Sequence, residues 1–148
     1  MIHGATDSDY EYDDDPDRVD YDAVWLFLST QADWGRWRTR EMVDAQVRQS
    51  WRLVGAYHRP TGDLVGFARA VGDGLSLAYV ADVYVLPEHR GRGLGLGLMT
   101  ALVESESGAH LRWMLHTRDA HGLYAKLGFR PPDGMYLERP GRAPGSGS

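Results

Sequence analysis

Val24, Phe27 and Leu28 recur at the three- and four-residue spacing of one helical face, and Trp25 and Leu26 widen it. A helix is therefore expected from Asp20 onward. Gly35 interrupts, and a second helix is expected from about Thr39 to Gln49, with Thr39 as its cap and Met42, Val43 and Val47 facing inward. The period then changes. Trp51 to His58 reads as a strand, Arg59-Pro60-Thr61-Gly62-Asp63 as a turn, and Leu64 to Val71 as the returning strand. After Gly72-Asp73-Gly74, the run Leu75 to Leu86 is rich in β-branched and aromatic residues and reads as a third strand that Pro87 ends. A glycine-rich loop, Arg90 to Gly97, leads into an apolar helix ending near Ser107-Gly108. Leu111 to His116 is a short strand and Asp119 to Leu127 a short helix stopped by Gly128. Phe129 and Met135 to Leu137 are expected to supply the last strand material.

Helices, an antiparallel meander, then strand–loop–helix–strand–helix–strand make a mixed α/β (α+β) sheet with a ligand-binding loop at its centre. There are no internal repeats. Residues 1–17 are polar and acidic and read as a flexible N-terminal segment, residues 18–139 as a single domain, and residues 140–148 as a flexible Gly/Pro/Ser tail.

Composition narrows the function classes. The chain has 148 residues, 43% of them hydrophobic and 25% charged, which suits one soluble domain with a real core. No apolar run approaches the roughly 18–20 residues that cross a bilayer, and no secretory pattern is visible, so no membrane role and a cytoplasmic location are expected. The absence of cysteine excludes disulfides, thiolate metal sites and a cysteine nucleophile, and no metal is expected. Residues 1–22 carry nine acids against Arg18, a net −8, which leaves +3 for the rest of a chain that totals −5. A mildly basic body suits a small anionic ligand, whereas DNA binding calls for a basic face and a much higher pI, so no nucleic-acid partner is expected. The acidic start reads as a solvated tail or as a guide for cationic substrates.

The stretch Ala81-Asp82-Val83-Tyr84-Val85-Leu86-Pro87-Glu88-His89-Arg90-Gly91-Arg92-Gly93-Leu94-Gly95 carries the chemistry. Strand, glycine-rich turn and helix N-terminus follow in immediate succession. Glycines at 91, 93 and 95 let backbone N–H groups approach a ligand, and with the positive end of the helix they form an anion site suited to a pyrophosphate. Arg90 and Arg92 add positive charge. A dinucleotide fingerprint would need glycine where Leu96 stands and would open a first βαβ unit. A P-loop would need Gly-Lys-Ser/Thr, and the only lysine is Lys126. A loop rich in glycine only to turn tightly is the structural alternative.

Arg90-Gly91-Arg92-Gly93-Leu94-Gly95 resembles the Arg/Gln-x-x-Gly-x-Gly/Ala signature of the GNAT superfamily, and Val83-Tyr84-Val85-Leu86-Pro87-Glu88 resembles its lead-in. Ala120-His121-Gly122-Leu123-Tyr124-Ala125-Lys126-Leu127-Gly128-Phe129 is similar to the family's second block. The resemblance covers about Trp51 to Glu138 and implies the GNAT acyl-CoA N-acyltransferase fold. It implies acetyl-CoA as co-substrate, with its pyrophosphate on Arg90, Gly91, Arg92, Gly93, Leu94 and Gly95. The pantetheine arm would pair along Val83 and Val85, where a backbone N–H could polarise the thioester. Tyr124 matches the tyrosine that protonates the leaving thiolate, with an aromatic core residue as the alternative. Thr117 stands where the family often has Asn, so no asparagine role is carried over.

The acceptor would be a small-molecule or peptide amine. Asp82, Glu88, His116 and His121 are candidates to take its proton, or water relays it. Asp82 stands inside an apolar strand, so it either meets the amine or pairs with an arginine such as Arg69. His116 and His121 also read as ordinary polar contacts. Trp25, Trp34, Trp37 and Trp51 could wall the acceptor site or belong to the core. The expected activity is an acetyl-CoA-dependent N-acetyltransferase, with a non-catalytic coenzyme A-binding module as the alternative. An acetylase acting on charged tRNA is disfavoured by the acidic start, and a homodimer is the default the family suggests.

Overall fold

The computed structural model describes residues 2–3, 9–32 and 37–141. One six-stranded sheet holds β1 (Ile2–His3), β2 (Tyr10–Asp13), β3 (Arg52–His58), β4 (Asp63–Gly72), β5 (Leu77–Val85) and β6 (Arg112–Met114) in that order. All neighbours are antiparallel except β5 and β6, which run parallel. The parallel pair needs a crossover, and α3 (Leu94–Val103) supplies it. The helices α1 (Tyr21–Thr30), α2 (Arg40–Gln49) and α4 (His121–Ala125) complete the chain.

Both early helices begin where the sequence marks them. The Asp20 carboxylate accepts from the Ala23 N–H at 3.1 Å, and Thr39 Oγ1 accepts from the Met42 N–H at 3.2 Å. Each side chain satisfies an amide that has no partner in the first helical turn, which is why the helices start there.

The sheet buries both faces. On one side, α3 packs against Val54, Ala56, Val65, Ala70, Ala78 and Val80, with Leu98, Met99 and Leu102 fully enclosed. Gly97 permits the close approach, because a Cβ there would overlap the Tyr12 ring. On the other side, α1 and α2 cover Leu53, Tyr57, Leu64, Phe67 and Tyr84 with Val24, Phe27, Leu28, Val43 and Val47.

Two features of β5 position the site. Its pairing with β6 covers only Leu77↔Arg112, Ala78↔Trp113 and Tyr79↔Met114, so beyond Tyr79 that edge of β5 is open among the described residues. Against β4, Phe67 faces Tyr84 and Arg69 faces Ala81, so Ala68 alone lies opposite Asp82 and Val83. This is a β-bulge, and Asp82 takes φ 54°, in the left-handed region. Ala78 and Val80 face α3 before it, and Tyr84 faces α1 and α2 after it. A strict two-residue alternation could not do this.

Two expectations need correction. Tyr10–Asp13 lies within the segment read as flexible, yet it is a sheet strand whose Tyr10 and Tyr12 are 1% and 2% exposed. Its acids are tied down: Arg18 pairs with Glu11 at 2.8 Å and with Asp13 at 3.0 Å, and Arg52 pairs with Asp14 at 2.7 Å. Composition suggested disorder because a net charge does not show which acids meet Arg18 and Arg52. At the other end, Phe129 and Met135 to Leu137 form no strand. Pro131 and Pro132, which have no N–H to give a ladder, and the Asp133-Gly134 turn interrupt the run, and four residues remain before Arg139-Pro140. Residues 142–148 of the expected tail lie outside the described residues. No helix among the described residues is long and apolar enough to cross a membrane.

Candidate functional site

The glycine loop follows directly from β5. The Leu86 N–H donates to Val65 O at 2.8 Å, and Pro87–His89 makes one 3-10 turn. Gly91 and Gly93 then take φ of 80° and 78°, a region that a β-carbon disfavours. A Cβ on either glycine would meet nothing within 4 Å, so the loop faces open space. Gly93 caps α3 without a side chain, and the Gly97 N–H is the first to bond back, to Gly93 O at 3.0 Å. Among the described residues, the N–H groups of Gly91, Arg92, Gly93, Leu94, Gly95 and Leu96 thus donate to no protein acceptor. Converging free amides at the positive end of a helix make an anion site.

Its two arginines are held differently. Arg90 folds back, and its Nε donates to Val85 O at 2.9 Å, which fixes the exit of β5. Arg92 lies over the Tyr10 ring, 5.9 Å from its centroid, while the Tyr10 hydroxyl bonds His89 Nδ1 at 2.7 Å. The corrected N-terminal strand therefore braces the loop.

Val83, Val85, Leu94 and Tyr124 border or join one apolar cluster. α4 approaches α3 closely: a Cβ at Gly95 would stand 3.4 Å from Leu123 Cδ1. Tyr124 is half-buried, edge-on to Phe129 at 5.8 Å between ring centroids. Burial pushes its phenol up from the ordinary value, with the Asp119 charge adding to the effect. A phenol so shifted stays protonated at neutral pH and can donate. The expected loop residues, the two strand valines and Tyr124 are thus brought together.

Asp82 lies on the opposite face. Arg38 from the loop before α2 grips both carboxylate oxygens at 3.0 Å, and Arg69 Nε donates to Oδ2 at 2.8 Å. Arg38 also donates to Gln46 Oε1 of α2 at 2.7 Å. Asp82, Arg38 and Arg69 are 8%, 8% and 5% exposed. Burial alone would raise the Asp82 carboxyl, but the Arg38 and Arg69 guanidiniums outweigh it and hold it below the ordinary value. A carboxylate with both oxygens taken by guanidinium groups is a weak base.

The other candidates scatter. Glu88 is exposed on the 3-10 turn. The side chain of His121, and Trp34 as a whole, lie outside the described residues. Trp51 packs in the α3-side core, 6.2 Å from Trp113, and Trp25 borders the α1/α2 core. Trp37 is 51% exposed. Thr117 Oγ1 accepts the Ala120 N–H at 3.2 Å ahead of α4.

Arg38, Gln46 and Tyr84 escaped the reading of the sequence. Arg38 has no local motif, and its partner is 44 positions away. Tyr84 stacks on Phe27 at 4.0 Å, and its hydroxyl is buried with no hydrogen-bond partner among the described residues. Burial pushes that phenol well above its usual range. The β5 alternation would have revealed its facing only if the bulge were known.

The geometry is thus a mixed sheet whose fifth strand is open along one edge beyond Tyr79 and runs into a loop of free amides. Comparison with known proteins gives the class its name. Residues 49–131 match the acetyltransferase (GNAT) domain. A Gibberella zeae protein assigned as an acetyltransferase is 32% identical, over 88% of this chain and 86% of its own. A crystal structure from Xanthomonas campestris pv. campestris, assigned to the GNAT family, is 36% identical and superposes with a TM-score of 0.81, covering 88% of this chain and 92% of its own. A Mycobacterium tuberculosis protein solved in complex with CoA shares the fold at 20% identity and a TM-score of 0.63, over 82% of this chain and 72% of its own. The chain belongs to the GNAT acetyltransferase family.

Proposed function

We propose that the protein transfers an acetyl group from acetyl-CoA to a primary amine by direct attack. The observation that carries this reading is the row of unbonded N–H groups from Gly91 to Leu96, at the end of a strand whose edge is open from Val80 to Val85. A diphosphate accepts from the loop, and a pantetheine amide chain pairs with the strand edge as a further strand would. The CoA held by the Mycobacterium tuberculosis relative supports this choice of donor.

The amine attacks the thioester carbon, the C–N bond forms and the C–S bond breaks. A β5 amide at Val83 or Val85, freed by the open edge, donates to the carbonyl oxygen as charge builds on it. Tyr124 gives its proton to the departing thiolate and regains one from the attacking nitrogen; burial raises its phenol, which keeps it protonated but makes it a weaker acid. Asp82 is assigned to positioning: it fixes Arg38, and through Gln46 the second half of α2.

A thermal-shift titration with acetyl-CoA, alongside NAD and ATP, tests the donor. A ligand at 100 times its Kd stabilises by about 2.7 kcal/mol, which is a shift of several degrees. Stabilisation by acetyl-CoA alone, followed by amine-dependent release of free thiol, is the expected result. A response only to NAD or ATP would remove the loop assignment and the activity with it.

A further inference from the structure

Tyr79, His116 and Glu138 form a hydrogen-bonded chain in which His116 alone was among the sequence's candidates to take the amine proton. The Tyr79 hydroxyl bonds His116 Nδ1, and His116 Nε2 bonds Glu138 Oε2 at 2.7 Å. Ionised Glu138 only accepts, so Nε2 carries the imidazole proton and Nδ1 accepts from the phenol. Tyr136, whose hydroxyl donates to the same Glu138 oxygen at 3.4 Å, is the remaining titratable group whose charge bears on Tyr79. These side chains come from β5, from the segment after β6 and from the C-terminal segment, 37 and 22 positions apart.

Their place is specific. Tyr79 is the last β5 residue paired with β6, and the open edge begins at the next residue. Ala78 and Val80 face α3, so Tyr79 faces the other way, toward the side that carries Arg69 and Asp82. Tyr79 thus stands where the β5–β6 pairing ends and the open edge begins, about 10 Å along the strand from the bulge at Asp82. His116 remains accessible there, its side chain 59% exposed.

We propose that Tyr79, backed by His116 and Glu138, is the relay that removes the proton from the acceptor's ammonium group. The proposal rests on the acetyltransferase reading and deepens it. The ammonium proton passes to the Tyr79 oxygen while the phenol proton moves to His116 Nδ1. The imidazolium that forms is held by Glu138, and the neutral amine attacks. His116 then returns the proton to solvent, so the balance is ammonium plus thioester to amide, thiol and one released proton. Burial raises the Tyr79 phenol, which disfavours a free phenolate and couples the two transfers. Tyr79 is the catalytic residue, and His116 and Glu138 are positioning residues.

The test is a kcat/KM–pH profile with acetyl-CoA and a panel of primary alkyl and aryl amines, for the wild-type chain and for Tyr79→Phe, His116→Gln and Glu138→Gln. The relay requires Tyr79→Phe and His116→Gln to lower kcat by about 100-fold. Acetyl-CoA affinity and Tm should be unchanged, His116→Gln should lose the acid limb, and Glu138→Gln should displace it. Variants that lose only Tm, or that keep the wild-type rate and profile, overturn the relay while the acetyltransferase reading stands. A wild-type chain that binds acetyl-CoA and acetylates no amine in the panel overturns both.

Discussion

The two faces of β5 are built on different logic. On the α3 face, Val83 to Val103 is one unbroken stretch of chain, and the anion site is made of backbone amides. On the α1/α2 face, Asp82 meets Arg69 from 13 positions away and Arg38 from 44, and its polar groups are side chains. A backbone site tolerates side-chain variation but not a change of backbone conformation. A side-chain network tolerates neither loss of charge nor loss of a partner, because its members are buried.

The largest effect should fall on the side-chain network. Asp82→Asn leaves Arg38 and Arg69 buried without their countercharge and should cost about 3 kcal/mol of stability. Urea titration would show it, and the folded fraction should still bind acetyl-CoA. The pH dependence has a definite sign. The folded Asp82 carboxyl lies below the ordinary aspartate value, so its stabilisation is fully present above that value. It is lost as the pH falls from about 4 through the lower folded value. An acid transition identical in wild type and Asp82→Asn would show that the network contributes nothing.

On the backbone face, Gly93→Val forces a branched residue to φ 78° and fills the approach to the loop. Acetyl-CoA affinity should fall by at least about 100-fold, roughly 2.7 kcal/mol. The strain of about 1–2 kcal/mol is the smaller change. Calorimetry that finds unchanged affinity would end the claim that this face is the coenzyme side. Tyr124→Phe should be the mildest: kcat lower by about 10-fold, with Tm and coenzyme Kd unaltered. A matching loss of Tm would make Tyr124 a core residue only.

Legibility followed the same division. α1 and α2 were visible as apolar spacing behind Asp20 and Thr39, because a helix cap is a local hydrogen bond. The Gly91 and Gly93 loop was visible because glycine is the residue that adopts positive φ without cost. The strand at Tyr10–Asp13 was hidden by the acids around it, since spacing does not show that Arg18 meets two of them and that Arg52, 38 positions on, meets Asp14. The expected last strand near Met135 failed where two prolines and a turn interrupt the run.

Periodicity, caps and glycine positions determined the order of elements and the anion loop from the chain alone, because each depends on neighbours within about four residues. Tertiary structure decided which face Asp82 and Tyr84 occupy, since a bulge of one residue reverses every side chain beyond it. It also decided that Asp82 is an anchor held by Arg38 and Arg69, and that Tyr79, His116 and Glu138 meet. Those meetings depend on how β5, β6 and the C-terminal segment lie beside one another in space, and spacing along the chain does not encode that.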